Sequence, residues 1–296
     1  LPSETQEAQH KIHIIYSQNR FTNDINAADS YRLRLPSEVK TYELKGVSKS
    51  KPLYTLSNFD NILTAAQEVN YHQIDTNPVP GTSQKRLIEH IRTLYRSNNL
   101  KDPLPLHQLQ SMAVFFESYQ LAYTPTLIAD IFGTKVNAAL MLEGKFTHSE
   151  SDDNWWIRSG TTQFIEGIET VANAQNRFYV PISYTDPYSA KTKVKYYSNY
   201  FLFIEETEDA LGNKQKVESF NFRTLAPKRM KDANGNFSEV MVDELGLVKA
   251  LSLFGKGSEA DDLIGLNEFS SVTEDTLVSD FFHAPASDVL VTRGRN

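Results

Sequence analysis

The sequence predicts a mainly β protein built from antiparallel β-hairpin repeats, with a small α-helical insertion. Four polar clusters between residues 186 and 246 have the composition of hairpin turns, because Asp, Asn and Gly tolerate the backbone conformations that such turns require. Their leading residues follow one another at intervals of 23, 23 and 11 positions: Asp186, Asp209, Asp232 and Asp243. The residues between the clusters alternate between polar and apolar or are rich in aromatics, as half-buried strands are. A hairpin that recurs at a regular interval indicates a repeat architecture.

The same clusters supply the candidate site residues, and we expect all of them to be structural. An Asp side chain accepts hydrogen bonds from the backbone that follows it, and Gly or Asn supplies the positive φ of a tight turn. The residues of this set are Asp186, Asp209, Gly212, Asn213, Asp232, Gly235, Asn236, Asp243 and Gly246. Each of them is expected to shape a hairpin corner.

The composition supports a β protein and excludes several classes of function. Aromatic residues make up 11% of the chain, with 17 Phe and 14 Tyr against 4 Met, which suits strands better than a helical bundle. The net charge of −7 argues against binding to nucleic acid or to an anionic membrane surface. No apolar run approaches the ~18 residues of a membrane-spanning helix. The chain has no cysteine, so disulfides, Cys–zinc sites and thiol nucleophiles are excluded.

Three segments follow from the change of pattern along the chain: a β segment at 1–56, a mixed segment with the helical insertion at 57–145, and the hairpin repeats at 146–296. In the first segment, His10–Tyr16 and Ser37–Leu44 have strand character, and Asn19–Asp24 between them is predicted to be a loop. The alternation in the second strand slips after Thr41, as a β-bulge would allow. The chain begins at Leu1 without Met and stops without an evident cap, so we expect a piece of a longer protein.

In the mixed segment the apolar spacing becomes helical. Ser57 is a plausible N-cap for a helix that runs to Ala66. Residues Lys85–Tyr95 fit either a strand or a helix, and a strand is favoured. From Pro103 to Gly133 the spacing predicts two helices, the second of which opens at Thr124 and Pro125.

The last segment returns to strands. Asn154–Gly160 and Phe178–Tyr184 are predicted strands that lead into the repeats, and Leu247–Phe254 is a further strand after them. Thr273–Phe282 is predicted to form one short final helix.

No constellation in the sequence indicates a metal, a cofactor or a common hydrolytic site. The seven histidines form no HExxH motif, and neither a nucleophile elbow nor a nucleotide-binding glycine loop is present. Two acidic stretches have oxygen-rich side chains that could bind calcium, Asp152–Asn154 and Asp232–Asn236. The first lacks the ligand alternation and the distal Glu of an EF-hand loop, and the second has Gly at its fourth position and a strand pattern on each side, so hairpin turns are the favoured interpretation of both.

Two further patterns leave alternatives open. Trp155 and Trp156 could stack on a sugar ring, but a strand turns one of the two inward, so a core role is favoured. An arginine–serine–glutamate pattern of mono-ADP-ribosyltransferases could be assembled from dispersed residues: Arg32, Ser37, Glu38, Glu206 and Glu208. The last two are explained equally well as the acidic end of a strand before the Asp209 turn.

A set of co-linear motifs carries a resemblance to a known family. In the repeats these motifs are Asp209–Asn213, Phe220–Pro227, Asp232–Val240 and Asp243–Val248. Upstream they are Leu35–Glu38, Thr41–Leu44, Arg86–His90, Thr93–Arg96, Pro105–Leu109 and Asn154–Ile157. Together they resemble the B component of the bacterial insecticidal toxin complexes (Tc toxins), within the Rhs/YD-repeat superfamily, over roughly residues 10–285. The first repeat turn departs from the family pattern, with Ser189 and Ala190 in place of Gly and Asn.

The resemblance implies a structural role. In that family the B and C components form a hollow shell from a spiral of antiparallel β-hairpins, which encloses the cytotoxic C-terminal part of the C component. A separate propeller of the B component docks the shell to the pore-forming A component. This chain would accordingly be a secreted, non-enzymatic length of wall without metal or cofactor. Its partners would be the C component and the enclosed toxic domain, with the A component bound through the rest of the protein.

Two other functions stay open at the level of sequence. One is a glycan- or receptor-binding β-module of a secreted toxin, which would use Trp155 or Trp156 and exposed tyrosines. The other is a toxin effector with ADP-ribosyltransferase activity, which would use Arg32 and Glu208.

Overall fold

The computed structural model describes residues 13–47, 55–197, 200–255 and 263. The fold is mainly β, with 42% strand and 14% helix, as the sequence predicts. The chain divides into two compact units. The first contains the described residues up to Ala174 together with Thr185–Ser189, and the second contains Gln175–Tyr184 and the described residues from Ala190 onward. The three-segment division of the sequence stays a prediction.

The secondary-structure elements have the following bounds. The strands up to residue 163 are β1 (Ile14–Phe21), β2 (Ile25–Ala27), β3 (Ser30–Arg32), β4 (Pro36–Lys45), β5 (Gln67–Val69), β6 (Gln84–Tyr95), β7 (Phe115–Tyr123), β8 (Trp155–Arg158) and β9 (Thr161–Gln163). The later strands are β10 (Ser183–Thr185), β11 (Lys191–Tyr196), β12 (Ile204–Glu208), β13 (Lys214–Asn221), β14 (Ala226–Lys231), β15 (Phe237–Val242) and β16 (Val248–Phe254). The helices are α1 (Leu56–Ala65), α2 (Pro125–Leu127), α3 (Ala138–Glu143) and α4 (Val171–Asn176). A π-helical turn (Ile128–Phe132) and a 3-10 turn (Gly133–Lys135) connect α2 to α3.

The first unit is organised around a sheet with the strand order β1-β4-β6-β7-β8, in which neighbouring strands are antiparallel. The short strand β5 is added parallel to β6, and β2 and β3 form a separate hairpin. The strand predicted at Lys85–Tyr95 is confirmed as β6. The register of β4 against β6 shifts between Thr41 and Tyr42, where the alternation of the sequence slips.

The second unit contains a meander of hairpins. From β10 to β16 the strands neighbour one another in the sheet in the order of the chain, and each pair from β11 to β16 is antiparallel. The predicted hairpin architecture is therefore confirmed. Among the described residues, no helix is long and apolar enough to cross a membrane.

The prediction of two helices between Pro103 and Gly133 is wrong for the first of them. Residues up to 114 form turns, and β7 begins at Phe115. Positive φ values at His107 (67°) and Ala113 (52°) are incompatible with a helix. The apolar spacing reflects burial in an irregular loop instead, since Leu109 is buried and its backbone N–H donates to Asn23 Oδ1 at 2.7 Å. The second helix is present as α2 and its π-helical continuation.

Other boundaries are corrected by local hydrogen bonds or backbone strain. The N-cap of α1 is Thr55, whose hydroxyl accepts from the Asn58 N–H, so Ser57 lies inside the helix. The first half of the predicted loop at 19–24 is strand, because β1 pairs with β4 as far as Phe21, whereas residues 22–24 are loop. The strand predicted at 178–184 is reduced to β10, since Phe178 and Tyr179 have positive φ. The helix predicted at 273–282 lies outside the described residues, and of the strand predicted at 10–16 only residues from 13 are described.

The core of the first unit includes both tryptophans. Trp156 is 0% and Trp155 8% exposed, so both faces of β8 are covered. The ring of His148 lies 4.1 Å from that of Trp155 between centroids. His148 belongs to the segment that leads from α3 back to β8, so this segment covers the face that a flat sheet would leave open. The core interpretation of the tryptophans is confirmed.

Candidate functional site

Three corners of the second unit share one hydrogen-bond pattern. At Asp209 the carboxylate oxygen Oδ1 accepts from the backbone N–H groups of Leu211 and Asn213, both at 2.9 Å. The Gly212 N–H donates to the Asp209 carbonyl at 3.1 Å. Asp232 and Asp243 accept from the equivalent backbone groups two, three and four residues later at 2.8 to 3.1 Å. One carboxylate thus organises a five-residue turn.

The glycine of each corner is required by the backbone. The φ values of Gly212, Gly235 and Gly246 are 84°, 85° and 87°, a region in which a Cβ atom is strained. In the first two corners the fifth residue also closes the turn, since Asn213 and Asn236 donate from Nδ2 to the aspartate Oδ2 at 2.8 and 3.1 Å. The third corner has Leu247 at that place and lacks this bond.

The hydrogen bonds of the corners favour ionised aspartates and leave little room for a cation. The side-chain hydrogen bond from Asn213, followed by backbone N–H groups, holds the pKa of Asp209 below its ordinary value. The backbone hydrogen bond from Asn236 acts similarly on the pKa of Asp232. Both oxygens of Asp232 accept N–H donors, so its D-x-N-x-N pattern forms a β-turn.

The corner at Asp186 uses a different residue for the same geometry. Its Oδ1 accepts from the Tyr188 N–H at 2.9 Å, and its carbonyl accepts from the Ser189 N–H at 3.0 Å. Ser189 has a φ of 69° where the later corners have glycine. All nine candidate turn residues therefore lie in turns.

A further corner, between β13 and β14, was not predicted from the sequence. Asn221 Oδ1 accepts from the N–H groups of Arg223 and Thr224 at 3.0 and 3.3 Å, and Leu225 takes the positive φ, 55°. The guanidinium group of Arg223 donates to the carbonyl of Asp243 at 2.6 Å and to that of Glu244, which joins two neighbouring corners. The leading Asn was a signal, but the absence of glycine hid the turn.

Opposite charges alternate across the strands β11, β12 and β13. Lys193 is directly opposite Glu208, which in turn is opposite Lys214. Their ion pairs measure 3.1 and 3.3 Å. The hydrogen bonds from Lys193 and then from Lys214 lower the pKa of Glu208. Glu206 pairs with Lys214 at 2.7 Å, so Glu206 and Glu208, the two glutamates of the Glu-x-Glu part of the ADP-ribosyltransferase pattern, both form ion pairs with lysines.

The first unit contains a buried polar row across four strands. Glu38 on β4 is opposite Arg92 on β6, Arg92 is opposite Tyr119 on β7, and Tyr119 is opposite Arg158 on β8. Directly opposed residues lie on the same face of a sheet. The row therefore places alternating acidic, basic and phenolic groups on one face, with Glu38 and Arg92 buried.

At one end of the row, Glu38 and Asp152 hold Arg92 between them. Arg92 Nε lies 3.4 Å from Glu38 Oε1, and its Nη1 lies 2.9 Å from Asp152 Oδ2. The guanidinium group also lies over the ring of Trp156, 4.3 Å from its centroid. Asp152 Oδ1 accepts from Trp156 Nε1 at 2.9 Å. The acidic stretch before the tryptophans, expected to be a solvated turn, thus anchors an arginine and a tryptophan.

His90 completes this end of the row as a neutral donor. Its Nε2 lies 2.7 Å from Glu38 Oε1, and its ring meets that of Trp156 edge to face at 4.7 Å. Burial lowers the pKa of His90 to about 4 against the opposing effect of Glu38. Burial alone would raise the pKa of Glu38, but the hydrogen bond from His90 and the charges of Lys40 and Arg92 bring it below its ordinary value. His90 Nε2–H therefore donates to an ionised carboxylate.

At the other end, Glu117 is the most deeply buried charge. It is 0% exposed and accepts from Arg158 at 2.8 and 2.9 Å. The hydroxyl of Tyr119 donates to the same carboxylate at 2.8 Å. Burial, and next the hydrogen bond to Glu117, raise the pKa of Tyr119. Every oxygen of Glu117 has a donor, as a buried carboxylate requires.

The structure brings Ser37 and Glu38 next to a histidine that the sequence did not single out. Ser37 Oγ lies 2.7 Å from His107 Nδ1, and His107 Nε2 lies 3.8 Å from Glu38 Oε2, which is too long for a hydrogen bond. Ser37 is only 1% exposed, and its hydroxyl also donates to the Arg20 carbonyl. A substrate could not reach this serine, so the serine–histidine–glutamate set supports the loop around His107 and not nucleophilic catalysis.

The residues of the ADP-ribosyltransferase pattern belong to different elements of the fold. Arg32 lies exposed on β3 and donates from Nε to the Ser111 carbonyl at 2.9 Å. Glu206 and Glu208 belong to the second unit. Within the first unit, Ser37 and Glu38 are neighbours on β4, whereas Arg32 lies on the separate hairpin of β2 and β3.

The comparisons with known proteins find relatives by fold. No protein-family model matches the chain, and no curated protein matches it significantly by sequence. The crystal structure of TcdB2–TccC3 without the hypervariable C-terminal region matches 90% of this chain with a TM-score of 0.64 and 15% identity. The crystal structure of TcdB2–TccC3–Cdc42 matches 85% with a TM-score of 0.61 and 15% identity. The Photorhabdus luminescens Tc holotoxin pore matches 82% with a TM-score of 0.58 and 17% identity.

The matches define the fold of the chain. This chain spans only 11 to 12% of the chains that it matches, so it corresponds to a short part of each. The resemblance to Tc toxin complexes that the sequence motifs predict is confirmed at the level of fold: the chain has the fold of a segment of the TcdB2–TccC3 structures.

Proposed function

We propose that this chain is a non-enzymatic length of the shell wall of a toxin complex, which encapsulates a cytotoxic domain. The observation that carries the proposal is the meander from β10 to β16, in which strand order in the sheet follows the chain and one carboxylate-centred turn recurs at the Asp209, Asp232 and Asp243 corners. A sheet built this way grows by adding hairpins at its edge, as repeat architectures do. The fold similarity to TcdB2–TccC3 supports the same assignment.

The wall interpretation also accounts for what the polar groups do. In the second unit the charged side chains pair across neighbouring strands, and in the first unit the buried ones pair along the polar row. Such pairs set the register of strands. The paired charges therefore stabilise the sheets. This role is expected in a container wall and not in an active centre.

The partners follow from the proposed role. They would be the C component of the complex and the toxic domain that it encloses, while the pore-forming A component would be bound through other parts of the complete protein. The assembly would act as a secreted toxin. The titles of the matched structures name TccC3 and a holotoxin pore, which supports partners of this kind.

Protection of an enclosed domain is the direct test. The protein that carries this chain would be produced together with a C component that bears a protease-sensitive reporter as its C-terminal domain. We expect the reporter to resist trypsin in the complex and to be cleaved when Gly212 and Gly235 are both replaced by valine, because the corners then carry strained φ values.

Gly81→Val is the matched control. Gly81 has a φ of 84° as well and, like Gly212, has nothing within 4 Å of an added Cβ, but it lies in the turn before β6 and not at a corner of the hairpin meander. A reporter that is equally sensitive in the unchanged complex and alone would contradict encapsulation.

The absence of enzymatic activity is a proposal with its own test. The purified chain is expected to show no NAD turnover above a buffer control, and Arg32→Ala and Glu208→Ala are expected to change nothing. Turnover that either substitution abolishes would establish the effector alternative instead.

A further inference from the structure

A pocket of about 420 Å³ lies beside the end of β7. The chain leaves β7 at Tyr123 and passes through the helical segment 124–146 before it returns to β8. Thr124 caps the start of this segment by accepting from the Leu127 N–H at 3.2 Å. Asn137 caps α3 by accepting from the Leu140 N–H at 3.0 Å. Residues of this segment, together with Tyr123 at the end of β7 and Tyr188, line the pocket, which is called the β7–β8 pocket below.

The wall of the β7–β8 pocket is apolar and shaped by aromatic packing. The ring of Tyr123 is contacted edge to face by Phe132 and Phe146, at centroid distances of 6.0 and 5.3 Å. Ile128, Val136 and Met141 complete the apolar lining. Its volume falls within the range of about 300–1,000 Å³ that is usual for ligand pockets, and it exceeds the space needed by one large side chain.

Apolar surface continues outside the pocket. Ile131 is 62%, Leu140 48% and Leu142 58% exposed. Leu140 lines the pocket, and the other two are chain neighbours of the lining residues Phe132 and Met141. A small molecule enclosed by the pocket would leave these side chains in water, whereas a peptide that crosses the pocket would cover them. Exposed apolar side chains grouped in this way mark interaction surfaces.

The pocket also carries a carboxylate without a partner. Glu143 lines the pocket and is exposed, and within the described part of the chain it forms no hydrogen bond or ion pair. The Tyr123 hydroxyl has no hydrogen bond there either, whereas the Tyr188 hydroxyl donates to the Gly144 carbonyl at 3.3 Å. An unpaired negative charge beside an apolar surface favours a ligand with a positive charge next to its apolar part.

We propose that the β7–β8 pocket binds a peptide segment in which one or two large apolar side chains are followed directly by Lys or Arg. The apolar side chains occupy the pocket, the basic side chain pairs with Glu143, and the peptide backbone crosses the surface formed by Ile131 and Leu142. In an extended chain, side chains two positions apart lie on the same face, about 6.6 Å from one another, so the first of two apolar side chains and the basic side chain after the second can face the pocket together. This binding does not depend on the proposed wall function.

Fluorescence anisotropy with short peptides tests the proposal on the intact chain. The probe is a fluorescein-labelled, blocked peptide of Gly and Ser with a central Leu-Phe-Lys-Arg sequence. One control peptide replaces Lys and Arg with Glu, and another replaces Leu and Phe with Ser. We expect saturable binding of the probe alone, weakened about tenfold or more by Glu143→Lys and also weakened by Leu140→Ser.

Glu244→Lys is the matched control, because Glu244 is an exposed glutamate of the second unit and the charge change is identical. It is expected to leave the affinity within about twofold, because Glu244 does not line the pocket. Circular dichroism of each variant checks that the fold is intact, and a variant that fails this check is replaced by Glu143→Gln.

Four results would overturn the proposal. They are equal binding of the acidic peptide, an affinity unchanged by both pocket substitutions, complete competition by 1-naphthylmethylamine at the affinity of the peptide, and a dimer of the chain in analytical ultracentrifugation that Glu143→Lys dissociates. The third would assign the pocket to small amines, and the fourth would assign it to a second copy of this chain.

Discussion

The two units hold their strands in register by opposite means. In the first unit, register depends on buried side chains from strands far apart in the sequence, such as Glu38, Arg92 and Glu117. In the second unit, it depends on turns of five residues and on surface ion pairs between consecutive strands. Long-range burial makes a strand arrangement sensitive to single charges, whereas local corners act one hairpin at a time. The two units should therefore respond differently to comparable substitutions.

Substitution of Glu117 is expected to cause the largest loss in the free energy of unfolding. Glu117→Leu removes the partner of the Tyr119 hydroxyl and of Arg158. Breaking a buried ion pair costs roughly 3–5 kcal/mol, and the loss should lie near the lower end of this range because the Arg158 side chain is 38% exposed. Both tryptophans of the chain lie in the first unit, so urea unfolding followed by tryptophan fluorescence reports this unit alone. Glu117→Gln keeps the shape and part of the hydrogen bonding and should cost less. Equal stability of all three proteins would contradict the structural role of the polar row.

Acid is expected to weaken the first unit through His90. The pKa of His90 is about 4 in the folded chain and 6.5 in its ordinary state, so unfolding takes up a proton as the pH falls below 6.5. The stabilisation is complete above pH 6.5 and is lost progressively toward pH 4, by about 3 kcal/mol in total. The cause is that a protonated His90 would be buried beside Lys40 and Arg92.

His90→Gln isolates this contribution, since glutamine can still donate to Glu38 but does not titrate. Below pH 4.5 both proteins also lose stability because Glu38, whose pKa is lowered in the folded chain, becomes protonated. Tryptophan-detected urea unfolding at pH 7.5, 6, 5 and 4.5 should show a steeper decline for the unchanged chain than for the variant. Parallel curves would show that His90 is not the group responsible.

A single corner of the second unit should matter less. Gly235→Val places a β-branched residue at a φ of 85°, which costs roughly 2 kcal/mol. Gly235→Asn is the matched control, because asparagine tolerates this region. Hydrogen–deuterium exchange should accelerate in peptides that cover β14 and β15 while peptides from the first unit stay unchanged. Loss of protection in both units would mean that the corners do not act locally.

The smallest effect is expected from one surface ion pair. Lys195 lies 3.1 Å from Glu205, and Lys195→Gln should cost roughly 0.5 kcal/mol, the usual scale of an exposed pair. The difference should disappear at about 1 M salt, where charges on the surface are screened. Exchange of the β11–β12 amides at low and high salt measures it. A cost that persists in high salt would point to packing of the lysine stem instead.

The sequence was most informative where structure depends on neighbours in the chain. The turns at Asp209, Asp232 and Asp243, the strand at Lys85–Tyr95 and the bulge after Thr41 could all be predicted, because alternation and turn chemistry act over a few residues. The interval of the corners also pointed to the correct fold. The loop around Leu109 could not be predicted, since its helical spacing arises from burial against Asn23, 86 residues away.

What the sequence determined by itself is most of the second unit, where three corners each carry their own Asp and Gly. What only the tertiary structure decided is the polar row of the first unit and the β7–β8 pocket. Glu38, Arg92, Glu117 and Arg158 look like surface charges in the sequence, and Asp152 looks like a solvated turn residue. They become buried partners only when four strands separated by long connections are placed side by side, and pairing over such distances leaves no local pattern in the sequence.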